Sequence, residues 1–305
     1  MSNLVSAAEG PRKDDSNVGQ IRLQTDVADF PLTTMRSRDA LSVRWDGLET
    51  ITRRIAEETP IAITYNKLPY AVMMATPADI EDFGIGFSIT ERIVSDPQQI
   101  DAIEVRPTSL GIELSIAINE VALRERLAKR QRNVTGRTGC GLCGVRQLEH
   151  AVVQLPRVAA SHPIDATAIR VALDDLAGRQ VLNAQTHAVH AAAWAALDGR
   201  LLAVREDVGR HNALDKLVGA MTTAALDPCA GFCVITSRCS YEMVQKAALA
   251  RIAIIVAISA PTELAIRQAE AAGVTLVALA RSDGFVVYAH HQSIVTASVR
   301  RRHPT

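Results

Sequence analysis

Five short apolar runs govern the second half of the chain: Leu201 to Arg205, Phe232 to Thr236, Ile254 to Ser259, Val274 to Ala280 and Phe285 to Tyr288. Each has the length of a strand, and a strand must find backbone partners. Most are separated by stretches of helical character: His190 to Leu197 ahead of the first, then His211 to Ala225, Tyr241 to Arg251 and Thr262 to Ala272. Strands alternating with helices in this way predict a layered α/β sheet with parallel neighbours. Ligands of open α/β sheets sit at the carboxyl ends of strands, so the polar segments there become candidate binding loops.

The first half follows another pattern. Ile61 to Tyr65 and Ala71 to Ala75 flank Asn66-Lys67-Leu68-Pro69, which predicts two strands joined by a turn. Apolar residues recur at Ile80, Phe83, Ile85, Phe87, Ile89 and Ile93 behind the start signal Pro77-Ala78-Asp79, so a helix is expected over Asp79 to Val94. Ala102 to Arg106 and Gly111 to Ile118 are again strand-like. The expected organisation is a loose segment over 1–25, a smaller α+β N-terminal domain over 26–136, a glycine-rich loop and linker over 137–164, and an α/β domain over 165–305 that a helix near Asp165 to Ala177 opens.

At 305 residues and 48% apolar content, the chain can bury one large core or two modest ones. It has no apolar stretch of membrane-spanning length, and Met1 to Gln20 lacks the apolar centre of a signal peptide. A cytoplasmic location without a membrane partner is therefore expected. The 33 basic and 33 acidic residues cancel, which removes the overall field that would draw the molecule to nucleic acid. Basic residues still concentrate locally, at Arg124, Arg126, Lys129, Arg130, Arg132 and Arg137. A solvated helix face paired with Glu120 and Glu125, and a docking surface for anions, both fit that run.

Three polar segments follow the apolar runs. They are Arg205-Glu206-Asp207-Val208-Gly209-Arg210-His211-Asn212, Thr236-Ser237-Arg238-Cys239-Ser240-Tyr241-Glu242 and Arg281-Ser282-Asp283-Gly284. Each combines arginine with small hydroxyl or glycine residues at a helix start or turn, which suits phosphate binding. Arg210, Arg238 and Arg281 would supply charge. His211, flanked by Asp207 and Asn212, is the best functional candidate among the histidines, with His187 and His190 reading as structural. Ordinary capping by Asp207 or Ser240 explains any single loop equally well, whereas three on one edge suggest one large anionic ligand. Cys229, Cys233 and Cys239 read as helix-end and strand cysteines, with Cys233 in the core and Cys239 lining a pocket.

Cys140 and Cys143 lie in Thr138-Gly139-Cys140-Gly141-Leu142-Cys143-Gly144, where glycines strip away side-chain cover. An odd total of five cysteines in a chain this long fits free thiols in a reducing compartment. A CxxC pair serves as half a zinc site, a dithiol/disulfide couple or a nucleophilic thiolate. Only two of four zinc ligands are present and no H-x-E precedes them, so no zinc is expected. A thioredoxin-like redox motif opens a helix directly after a strand, unlike this basic segment and glycine loop. The context favours the thiolate, helped by Arg137 and Arg146.

Taken together, Arg137 to Val145, Glu206 to Lys216 and Ser240 to Lys246 resemble the FdhD family of formate dehydrogenase accessory proteins. Tyr65-Asn66, Ala71 to Pro77 and Gly86-Phe87-Ser88 share the resemblance, which spans about residues 28 to 291. It implies a sulfurtransferase-like sulfur carrier that accepts sulfur from a cysteine desulfurase as a persulfide. The recipient implied is the Mo-bis-molybdopterin guanine dinucleotide cofactor of formate dehydrogenase. By motif position Cys140 matches the family's persulfide cysteine and Cys143 its pair. The family's cofactor-binding stretch falls on Leu279, Ala280, Arg281, Ser282, Asp283 and Gly284, where Asp283 departs from the usual pattern. The resemblance further implies a cytidine deaminase-like layered α/β domain used without zinc, and a homodimer. A zinc- or nucleotide-binding maturation scaffold that moves no sulfur, and a disulfide oxidoreductase, are the alternatives.

Overall fold

A computed structural model describes residues 22–25 as backbone, together with 32–120, 155–159 and 162–296. The chain enters on β1 (Arg22–Thr25), part of the segment expected to be loose. Residues 1–21 of that segment lie outside the described residues. A ribbon follows, β2 (Met35–Arg44) and β3 (Gly47–Ala56), hydrogen-bonded as strands only to each other. Its strands carry Arg36, Arg38, Arg44, Arg53 and Arg54 and leave Leu41, Val43, Trp45 and Leu48 exposed. No residue of either strand is buried, so the alternating Leu41, Val43 and Trp45 cover no core.

The predicted hairpin forms from β4 (Thr59–Tyr65) and β5 (Leu68–Ala75). Asn66 and Lys67 at its turn take φ of 47° and 65°, the two positive values that a type I′ turn requires. The expected helix is α1 (Ile80–Thr90), and β6 (Ile100–Thr108) and β7 (Gly111–Ile118) complete this half. One sheet of order β1-β6-β7-β4-β5 results. Its core packs Ile61, Ile63, Leu114 and Ile116 with Phe83 and Phe87 of α1.

After the linker come β8 (Ile164–Asp165), α2 (Ala166–Arg179), α3 (Asn183–Thr186), β9 (His190–Ala196) and β10 (Leu201–Asp207). Then α4 (Arg210–Thr223), β11 (Gly231–Ile235), α5 (Tyr241–Leu249), β12 (Ile254–Ala257), α6 (Glu263–Ala272), β13 (Thr275–Arg281) and β14 (Gly284–Ala289) alternate. A short β15 (Ile294–Val295) pairs with β8. The larger sheet has the order β10-β9-β11-β12-β13-β14 and a core of its own. The fold is thus mixed α/β.

One expectation needs correction. His190 to Leu197 is not a helix; its residues form β9, hydrogen-bonded between β10 and β11. Alanine-rich sequence favours helix intrinsically, but this run is buried, and ladder pairing on both sides outweighs a preference of a few tenths of a kcal/mol per residue. The expected parallel neighbours lie side by side within the larger sheet. Only β11, β12 and β13 are parallel neighbours, while β9, β10 and β14 pair antiparallel.

The halves meet where α1 crosses α4. A Cβ placed on Gly86 would overlap the Asp215 carbonyl oxygen, and one on Gly219 the Asp82 carbonyl oxygen, so two glycines let the helix backbones touch. Among the described residues, no helix is long and apolar enough to cross a membrane.

Candidate functional site

Because β9 is antiparallel to both β10 and β11, strands β10, β11, β12 and β13 all point the same way. Their carboxyl ends therefore share one edge, where α4, α5 and α6 begin. Four inter-strand steps separate β10 from β13, about 19 Å at the usual spacing. All three polar segments singled out in the sequence lie on this edge. A fourth joins them, Ser259-Ala260-Pro261-Thr262, which has the same signature of small and hydroxyl residues leading into a helix. The backbones interlock: Cys239 N donates to the Ala260 carbonyl at 3.2 Å, Thr262 N to that of Cys239 at 3.0 Å, and Leu279 N to that of Ser259 at 3.2 Å.

Arg210 opens α4 half-buried, and its Nε is buried without a hydrogen-bond partner. Beside it the His211 ring Nε2 lies 3.1 Å from Glu242 Oε2, which also accepts from Ser240 Oγ at 3.2 Å. Burial works to raise the Glu242 carboxyl, but the His211 bond and charge, Ser240 and Arg210 outweigh it and hold the group below its ordinary value. Arg238 is exposed on the loop after β11. Arg281, Ser282, Asp283 and Gly284 form the exposed β13–β14 turn, with Ala280 buried and Leu279 half-buried at φ 52°. The edge thus offers three helix N-termini and three arginines, Arg210, Arg238 and Arg281, at separate points along it. That suits an extended polyanion better than a compact one.

His190, read as structural, stands at the start of β9 opposite Asp207. Burial and the charges of Arg210 and His211 depress its pKa below 6.5, against the opposing pull of Asp207. As pH falls below 6.5 the unfolded chain takes up a proton that the folded chain refuses, so stability is lost until the depressed value is reached. His190→Gln should therefore flatten the fall in melting temperature between about pH 7.5 and 5.5. An unaltered slope would remove His190 from that accounting.

Much of Glu206 to Lys216 has a different duty from ligand binding. Asp207 and Lys216, both side chains fully buried, pair at 2.6 Å. Asp207 accepts from Thr76 N at 2.9 Å, from Gly209 N at 2.8 Å and from Asn212 Nδ2 at 3.0 Å. Lys216 Nζ donates to the Thr76 carbonyl and Asn212 Nδ2 to that of Met74, each at 2.8 Å. Glu206 accepts from the backbones of Leu182 and Asn183, anchoring α3. Asp207 therefore bolts the exit of β5 to the larger sheet and does not cap α4, whose N-cap residue is Gly209.

Lys246 forms a second bolt. Its Nζ lies 2.9 and 3.0 Å from the two Asp215 oxygens and 3.2 Å from Glu91 Oε1, and Thr90 Oγ1 donates to Asp215 at 2.6 Å. Burial alone would lower the Lys246 pKa, but these carboxylates outweigh it and raise it. Burial pushes the Cys239 thiol up to about 12 and Cys233 higher still, so both are inert packing residues. Cys140, Cys143, Arg137, Arg146 and the basic run from Arg124 to Arg132 lie outside the described residues.

The family model for FdhD/NarQ matches residues 56–295. A Bordetella petrii protein named sulfur carrier protein FdhD is 45% identical over 89% of this chain and 95% of its own. One of the same name from Xanthomonas euvesicatoria pv. vesicatoria is 51% identical over 80% and 87%. The fold is also that of a crystal structure from Desulfotalea psychrophila, described as a formate dehydrogenase accessory protein, with a TM-score of 0.69 at 24% identity over 86% of this chain and all of that one. The match takes in the larger sheet, the N-terminal sheet apart from β1, both bolts and the whole strand-end edge, and the chain belongs to the FdhD/NarQ family.

Proposed function

We propose that this chain is a cytoplasmic, sulfurtransferase-like sulfur carrier that serves formate dehydrogenase. The observation that carries the reading is the shared name of the relatives at 45% and 51% identity, sulfur carrier protein FdhD. Cys140 is the acceptor. Its thiolate attacks the outer sulfur of a persulfide on a cysteine desulfurase, a new S–S bond forms as the old one breaks, and the desulfurase cysteine leaves as a thiolate. Cys143 is its neighbour in the transfer. The recipient is the Mo-bis-molybdopterin guanine dinucleotide of formate dehydrogenase, whose several phosphates fit the arginines and helix N-termini of the strand-end edge. Arg210, Arg238 and Arg281 neutralise them, Leu279 to Gly284 complete the cradle, and the His211–Glu242 pair holds a proton beside it. The working unit is a homodimer.

Incubation with a cysteine desulfurase and cysteine should add about 32 Da, one sulfur, to the peptide carrying Cys140. Cys140→Ala should abolish the addition. Labelling that persists in that variant would sink the assignment of Cys140, and no labelling of the intact protein would favour a scaffold that moves no sulfur.

A further inference from the structure

The opposite edge of the larger sheet, below the amino ends of β12 and β13, holds a cleft of about 400 Å³. Ile89, Val94, Val158 and Leu249 provide apolar wall, and Arg92, Arg157 and Arg251 line the rest. Arg92 follows α1 and Arg251 follows α5, where arginine ordinarily serves the unpaired carbonyls of a helix end. Here the backbone already serves three carbonyls at each end. The N–H groups of Glu91, Arg92 and Ile93 take the carbonyls of Phe87, Ile89 and Ser88, while those of Ala250, Arg251 and Ile252 take Lys246, Ala248 and Ala247.

Those carbonyls do not need Arg92 or Arg251. Arg92 and Arg251 both hold positive φ, 57° and 60°, a conformation that costs free energy outside glycine. Arg92 Nε is buried with no hydrogen-bond partner. Among the described residues, no carboxylate forms an ion pair with any of the three, and Glu91, next to Arg92, is engaged by Lys246. Burial lowers the Arg92 pKa, and the charge of the neighbouring Glu91 opposes this only in part.

We infer that this cleft binds an organic phosphomonoester, its phosphate among the three arginines and its body on the apolar wall. Three cations outnumber the single charge of a carboxylate and suit a dianion, and the guanidinium fork matches phosphate oxygens in pairs. The volume lies at the small end of ligand pockets, enough for one ring-sized body. This inference does not depend on the sulfur-carrier reading, and Cys140 labelling should be indifferent to it.

Calorimetric titration of the full chain with phenyl phosphate, inorganic phosphate, benzoate and phenol is the test. Phenyl phosphate should bind one to one and about tenfold more tightly than the other three, because only it satisfies both halves of the cleft. Arg157→Ala, on an exposed loop, and Arg251→Ala should each weaken it about tenfold, with Arg179→Ala, at the end of α2 and paired with Asp175, leaving it unchanged. Three results would overturn the inference: benzoate binding as tightly, affinity unmoved by either cleft substitution in a folded protein, or no binding up to about 10 mM.

Discussion

Lys216→Met is expected to remove about 3–5 kcal/mol of stability, the usual cost of leaving one charge of a buried pair without its partner. Methionine approximates the volume of lysine, so the loss would come from Asp207 left charged at 0% exposure and from the Thr76 carbonyl left without its donor. Because Asp207 also receives the amides of Thr76 and Gly209, the damage should spread to the start of α4 and to the exit of β5. Urea unfolding followed by circular dichroism would show a lower midpoint with an unchanged slope. A loss below about 1 kcal/mol would mean that the pair contributes no more than a surface ion pair does.

Gly219→Ala is the second large effect, for steric reasons. The added methyl would meet the Asp82 backbone, which cannot rotate away as a side chain can, so α1 and α4 must separate. Overpacking of this kind costs about 1–3 kcal/mol and more where backbone is the obstacle, and about 3 kcal/mol is expected here. Gly86→Ala should behave alike, its methyl meeting the Asp215 carbonyl. Once the helices have parted for one substitution the other finds room, so the double variant should lose clearly less than the sum of the two. Strict additivity would show that the glycines are not sharing one crossing.

Local pattern made α1, the β4–β5 hairpin and α4 to α6 legible in the sequence, because their apolar spacing, turn residues and start signals all lie within a few residues. It failed at His190 to Ala196, where ladder pairing with two remote segments overrides alanine's helical preference. It missed the β2–β3 ribbon, where Leu41, Val43 and Trp45 alternate but charged residues interrupt the rest of both strands. The strand-end edge was found because arginine recurs with glycine or hydroxyl residues after three of the five apolar runs. What Asp207, Asn212 and Lys216 do there could not be seen. Their partners are Met74 and Thr76, and the Thr76–Asp207 bond alone spans 131 residues.

That span has a consequence for synthesis. The N-terminal sheet leaves the ribosome with the Thr76 amide and carbonyl lacking the groups that later satisfy them, and must wait until Lys216 has been made. The same segment that closes this gap begins the strand-end edge, so that edge cannot be completed ahead of the junction. A chain halted before residue 207 would therefore carry Cys140 and Cys143 but no finished edge, and its open junction would mark it as incomplete to proteases.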